Sequence, residues 1–260
     1  MTRRETTVAD RGCSRLRSVV GEAWALETGR RDMAEKANNS ARRFSASFSS
    51  AAVLLSYLVA VGTPPATAEA CPDVEVIFAR GTGEPAGLGP TGRAFVGSLR
   101  SHVDDQSLET YPVAYPATHD FHTAVDGIRD AANRIIGRAE SCPRTKIVLG
   151  GYSQGAAVMG FVTSPAVPDS VDPATVPKPL QPELADNVAA VVLFGKPNTR
   201  AVNLLEVPPV VVGPLYADKT MELCAVNDPV CSDGMDFAAH NQYTGNGMIE
   251  RGAAFAASRL

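Results

Sequence analysis

The stretch Lys146-Ile-Val-Leu-Gly-Gly-Tyr-Ser-Gln-Gly-Ala-Ala-Val-Met-Gly-Phe-Val162 constrains the fold of this chain more than any other. Ile147, Val148 and Leu149 form an apolar run that reads as a buried strand, and Ala156-Ala157-Val158-Met159 offers good helix formers. Between them Gly151-Tyr152-Ser153-Gln154-Gly155 fits G-x-S-x-G, a sharp strand-to-helix turn that lifts a serine hydroxyl off the end of a sheet. Side chains two residues before or after Ser153 would collide with a neighbouring strand or helix, so both places call for glycine. The following helix turns its free N–H groups toward any anion that forms at Ser153. Alone, the pentapeptide recurs by chance as an ordinary turn. Its flanks make Ser153 a candidate nucleophile.

Residues 1–68 read as an address. They carry ten Lys+Arg, six Asp+Glu, the only Trp (Trp24) and an isolated Cys13. Arg42-Arg43 precedes a mostly apolar, Ser-interrupted stretch at 48–61, and then Pro64-Pro65-Ala66-Thr67-Ala68. A basic region, a short apolar region and an A-x-A site make a secretory signal, cleaved after Ala68 or after Ala70. The arginine pair is a poor twin-arginine match, and Ser49, Ser50 and Ser56 weaken an uncleaved anchor. The region before Arg42 is long for a signal, so translation from Met33 is an alternative to Met1.

The expected domain at 69–260 has 14 basic and 22 acidic side chains, a formal charge of −8. That length suits one core, and the acidic balance argues against nucleic acid or anionic head groups as partners. Four cysteines remain, Cys71, Cys142, Cys224 and Cys231, which read as two disulfides with three possible pairings. Cys224 and Cys231 can close a small loop, leaving Cys71 for Cys142. No C-x-x-C or nearby His supports zinc, so no metal and no cofactor are expected.

Periodicity predicts strands at 74–79, 108–114, 146–150, 188–194 and 219–224, and helices at 91–103, 120–140, 154–163 and 242–259. Strands alternating with helices imply a parallel sheet covered on both faces, a three-layer α/β/α sandwich. Residues 164–187 hold six prolines and read as a surface loop away from the chemistry.

A serine needs a base to take its proton. In this architecture the chain order is nucleophile, acid, histidine, and His240 alone of four histidines follows Ser153. His119 and His122 remain candidates to line the cleft. Of ten carboxylates between Ser153 and His240, Asp228 stands out, because it lies between Cys224 and Cys231 and precedes Pro229. An ordinary Asn-Asp-Pro turn is the alternative. Asp233 and Asp236 compete for the role but would need a tighter loop. Two N–H donors must meet an oxyanion; Gln154 supplies one, and Thr82, in the Gly-rich loop after the first strand, the other. That loop lacks the G-x-x-x-x-G-K-[ST] and G-x-G-x-x-G patterns of nucleotide sites.

Together Phe78-Ala79-Arg80-Gly81-Thr82, Gly150-Gly151-Tyr152-Ser153-Gln154-Gly155, Cys224-Ala-Val-Asn-Asp228-Pro-Val-Cys231 and His240 resemble the cutinase family, specifically its secreted mycobacterial and actinobacterial members. The resemblance covers 71–260. It implies a small α/β hydrolase with a five-stranded, mainly parallel sheet and no large lid. It implies Ser153, Asp228 and His240 as triad, Thr82 and Gln154 as oxyanion contacts, and the disulfides Cys71–Cys142 and Cys224–Cys231. The long 164–187 segment and the N-terminal extension depart from the family pattern. The implied activity is hydrolysis of short- to medium-chain carboxylic esters by a secreted monomer with no membrane span. The other readings are a phospholipase or lipase, a polysaccharide acetyl esterase, or a surface antigen with a vestigial site. Only the loops at 81–89 and 232–239 lie near the motifs, so Leu88, Met235 and Phe237 are expected to rim a shallow groove without interfacial activation.

Overall fold

The computed structural model describes residues 70–260; the expected leader and the Met33 start lie outside them. Strands β1 (Val74–Ala79), β2 (Leu108–Pro112), β3 (Lys146–Tyr152), β4 (Val188–Phe194) and β5 (Thr220–Leu223) form one sheet in the order β2-β1-β3-β4-β5. All four pairings are parallel, beyond the mainly parallel sheet expected. Helices α1 (Gly89–Arg100), α2 (Ala124–Ser141), α3 (Gln154–Val162), α4 (Thr199–Leu204), α5 (Pro214–Ala217) and α6 (Met248–Ala257) complete the chain, with short 3-10 turns at Phe121–Thr123, Pro182–Asn187 and Ala239–Asn241.

Successive strand residues face opposite layers. Val76, Phe78, Val148, Val192 and Phe194 pack with Phe95 and Leu99 of α1 and Ile249 and Ala253 of α6. Ile77, Leu149, Val191 and Leu193 pack with Ala131 and Ile135 of α2 and Val158 and Met159 of α3. Both faces are therefore covered at the centre of the sheet, which is why β1, β3 and β4 read as largely apolar runs. The strand order reverses between β1 and β3, and in open parallel sheets the crevice at such a reversal, beyond the carboxyl ends of the strands, is where ligands bind. Thr82 follows β1 and Ser153 follows β3 at that crevice.

Several boundaries differ from expectation for local reasons. Gly247, at φ 79°, sits just before α6, so the closing helix starts at Met248 rather than near 242. The freed residues Ala239–Asn241 form the turn that carries His240. Helices α4 and α5 were not anticipated: Asn198 caps the first by accepting from Ala201 N–H at 2.9 Å, and Pro214 opens the second. Leu88 packs against the α1–α6 core rather than rimming a groove.

At the opposite end of β1 from the crevice, Glu75 is fully buried. Arg134 and Arg138 of α2 both hold it, Arg138 through Nε at 2.9 Å and Nη2 at 3.0 Å, and Arg138 also reaches Glu109 of β2 at 2.6 Å. Hydrogen bonding to Glu75 raises the Arg138 pKa above its ordinary value, against the opposing effect of burial. A strand carboxylate is tolerated here because two guanidinium groups satisfy both its oxygens. Nearby, Cys71 joins Cys142 at the end of α2 with a Cα–Cα distance of 5.6 Å, tying the start of the domain to a helix 71 residues on.

Glu75→Ala should destabilise the domain by about 3 kcal/mol, because two partly buried cations lose their shared counter-charge. Glu109→Ala, at a half-exposed position, should cost under about 1 kcal/mol. Urea unfolding of the two variants checks this, and equal losses would contradict it.

Candidate active site

Ser153 adopts φ 55° and ψ −117°, a strained backbone for a residue with a side chain. Three hydrogen bonds hold it: its N–H donates to Phe194 O of β4 at 2.9 Å, and its carbonyl accepts from Ala156 N–H at 2.9 Å and Ala157 N–H at 3.1 Å. The flanking glycines are required by contact. A Cβ on Gly151 would lie 2.3 Å from Gly155 O, and one on Gly155 would lie 2.0 Å from Ala79 O. Helix α3 therefore starts pressed against the end of β1, and the Ser153 hydroxyl projects beyond the sheet.

The acid candidate comes from the loop after β5. Cys224 bonds Cys231, with Cα–Cα 5.7 Å, and Asn227 takes the left-handed conformation at φ 66°. Asp228 is completely buried there. Its Oδ1 accepts from Val230 N–H at 2.8 Å, and its Oδ2 accepts from His240 Nδ1 at 2.7 Å and from the Tyr243 hydroxyl at 2.6 Å. A carboxylate only accepts, so Nδ1 carries the proton and Nε2 is left as an acceptor. Nε2 lies 2.8 Å from Ser153 Oγ. Burial by itself would raise the Asp228 pKa, but hydrogen bonds from His240, Tyr243 and Val230 outweigh it and leave the carboxyl below its ordinary value. Asp236 instead accepts from Ala238 N–H at 2.9 Å, closing its own turn, and Asp233 is exposed.

Two tyrosines that sequence reasoning missed hold this assembly. Tyr152, inside the pentapeptide, donates to His240 O at 2.7 Å and stacks on the imidazole with ring centroids 5.1 Å apart. Tyr243, three residues after His240, bonds Asp228 and accepts from Ala225 N–H at 3.1 Å. Burial, then the bond to Asp228, raises the Tyr243 phenol pKa, so it stays a neutral donor.

Thr82 and Gln154 meet across the crevice, Thr82 Oγ1 lying 3.3 Å from Gln154 Oε1. The Gln154 amide donates to Thr118 O at 3.1 Å, and Gly83 N–H donates to Ala117 O at 2.7 Å. The Gln154 side chain thus braces the loop at 117–118, while its own N–H, first in α3, has no intrahelical acceptor. Arg80 stiffens the same corner from within, donating to Glu84 O at 2.8 Å and Tyr115 O at 2.6 Å. His119 lines the cleft. His102 pairs with Glu250 at 2.8 Å, away from the chemistry.

The cleft over Ser153 has a volume of about 840 Å³ and is lined by Thr82, Gln154 and His240 together with apolar side chains. Leu204 of α4, Met235 and Phe237 stand on its rim with 83%, 74% and 68% of their surface exposed. Met235 and Phe237 were foreseen in that place; the contribution of α4 was not. Among the described residues no three His, Cys, Asp or Glu side chains converge to hold a metal, and no helix is long and apolar enough to cross a membrane.

Residues 70–260 match the family model described as Cutinase. The chain belongs to the cutinase family. Relatives in Mycobacterium tuberculosis include the probable carboxylesterase Culp5, 54% identical over 166 residues that cover 64% of this chain and 95% of that protein. The phospholipase Culp4 is 46% identical over 215 residues, covering 83% and 89%. Among solved structures, a Trichoderma reesei cutinase in complex with a phosphonate inhibitor has a TM-score of 0.55 at 32% identity, over 72% of this chain and 76% of that one. An acetyl xylan esterase has a TM-score of 0.60 at 25% identity, over 73% and 99%.

The depressed Asp228 pKa fixes the sign of a pH effect. Its contribution to stability is present above the unfolded value of about 4 and is lost as pH falls through the lower folded value. Wild-type protein should therefore lose more melting temperature between pH 5 and pH 3 than Asp228→Asn does. Calorimetry at the two pH values checks this, and identical losses would contradict it.

Proposed function

We propose that this cutinase-family ester hydrolase is a secreted serine carboxylesterase in which Ser153 is the nucleophile, His240 the base and Asp228 the residue that orients His240. The observation that carries the reading is the continuous hydrogen-bonded line from Ser153 Oγ through His240 to buried Asp228, at 2.8 and 2.7 Å, on the floor of an apolar cleft. Ser153 Oγ attacks the ester carbonyl while Nε2 takes its proton, and the same proton then passes to the departing alcohol. Asp228 keeps Nδ1 protonated and stabilises the imidazolium that forms. The N–H groups of Thr82 and Gln154 receive the oxyanion, with the α3 N-terminus adding a favourable field. Water, activated by His240 in turn, releases the acid and restores Ser153.

Esters of short to medium acyl length are the substrates this cleft favours by its apolar lining. Phospholipid esters are the second reading, favoured by the exposed rim of Leu204, Met235 and Phe237, which suits a lipid surface. The relative named as a phospholipase points the same way. Secretion is supported by the leader-like composition of 1–68 and by two disulfides, which persist in oxidising compartments.

Ser153→Ala should reduce ester turnover by several powers of ten while leaving the melting temperature close to that of the wild type. A fluorophosphonate probe should label the wild type and not the variant. Retention of a tenth of the turnover would place the nucleophile elsewhere. Protein recovered from the medium of expressing cells should begin at Glu69 or Cys71 by N-terminal sequencing, and an intact leader on it would contradict the cleavage.

A further inference from the structure

Helix α3 presents Ser153, Ala157 and Phe161 at intervals of four residues, so they share one face. At 1.5 Å per residue Phe161 stands about 12 Å from Ser153 along the helix. Phe161 is where the catalytic cleft ends and a second cavity, of about 380 Å³, begins. Phe121, Ala124 and Val207 also line both spaces, so the two are neighbours across these side chains. Ile128 and Ala132 of α2 floor the second cavity. Its roof is the proline-rich segment, through Val167, Val171, Val176 and Leu180. That segment lines none of the cleft over Ser153, as expected of a loop away from the chemistry, but it roofs the cavity next to it.

The roof is attached in an unusual way. Among the described residues, 165–180 hydrogen-bonds only within itself and to Ser164, as in Val171 N–H to Pro168 O at 2.9 Å and Ala174 N–H to Asp172 Oδ1 at 2.9 Å. Leu180 packs onto the α2–α3 core. Apolar contact, not polar anchoring, holds the cover over an apolar space. Such a space, lined mainly by aliphatic groups, proline, Phe121 and Phe161, with His122, Ser164, Thr175 and Lys178 as its polar residues, suits hydrocarbon rather than water. Each methylene moved into it from water is worth roughly fourfold in affinity.

We propose that the chamber beneath the proline-rich segment receives the distal part of a long hydrocarbon chain on the ester, which runs from Ser153 over Ala157 and past Phe121 and Phe161. This rests on the reading of Ser153 as nucleophile and extends the substrate class to long-chain esters. The chain belongs either to the acid or to the alcohol, and the chamber's chemistry is the same for both.

Val125 of α2 and Val176 of the roof line the chamber and not the cleft. The test measures kcat/KM for p-nitrophenyl butyrate, p-nitrophenyl palmitate and hexadecyl acetate in wild-type protein, Val125→Trp and Val176→Trp. The palmitate-to-butyrate ratio should fall at least tenfold in both variants if the acid carries the chain. A tenfold fall for hexadecyl acetate instead supports the chamber and assigns the chain to the alcohol. Both ratios staying within twofold of wild type in both variants would overturn the proposal. A binding measurement does not depend on the nucleophile. Ser153→Ala protein should bind palmitate, by displacement of a fluorescent fatty acid, at least tenfold more tightly than Ser153→Ala/Val176→Trp. Equal affinities would overturn the chamber even if butyrate hydrolysis is intact. Wild-type protein that neither hydrolyses butyrate nor takes the phosphonate label would fail the Ser153 reading alone.

Discussion

Helix α3 lies so close to the end of β1 that no side chain fits between them. Gly155 meets the Ala79 and Arg80 carbonyls directly, and Gly151 meets Gly155. This contact forces the chain to turn within one residue, which puts Ser153 in its strained conformation and its hydroxyl above the sheet. It also sets the start of α3 beside the loop after β1, so that Thr82 and Gln154 come to face each other across the strand-order reversal. The direction of α3 from that start then carries its half-buried face past Ala157 to Phe161. Ser153, the facing pair Thr82 and Gln154, and the long axis of the cleft thus share one steric origin.

The other half of the site depends on polar satisfaction rather than close approach. His240 sits on a single 3-10 turn, which by itself holds nothing in place. Its backbone oxygen is fixed by Tyr152, its ring by stacking on Tyr152, and its Nδ1 by Asp228. Asp228 can be buried and ionised because three donors converge on it. Tyr152 joins the two halves, since the residue preceding Ser153 is also the one that grips His240.

The sequence made the centre of the sheet legible because β1, β3 and β4 are covered on both faces, and such strands show as largely apolar runs; β4 was read to the residue. The elbow was legible because steric exclusion demands glycine at fixed offsets. Less visible were features that arise when distant segments meet. Glu75 reads as a solvent-facing strand residue until α2 brings Arg134 and Arg138 over it. Tyr243 looks like one more core aromatic until its hydroxyl is seen beside Asp228. Helix α4 is too short for any periodicity to register, yet Leu204 reaches the rim of the cleft. The density of proline at 164–187 correctly excluded regular structure up to the 3-10 turn at Pro182–Asn187, but composition carries no information about what a stiff loop overhangs.

Among the described residues, 165–180 of the proline-rich cover shares no hydrogen bond with the rest of the domain beyond Ser164. Most alterations to a loop strand a buried polar partner somewhere else, and that penalty resists change. Here no such partner exists to be stranded. Residues at 165–179 can be exchanged without removing any hydrogen bond of Ser153, His240, Asp228, Tyr152 or Tyr243. The cover is in effect an interchangeable module, joined to the domain by apolar packing and by the chain itself.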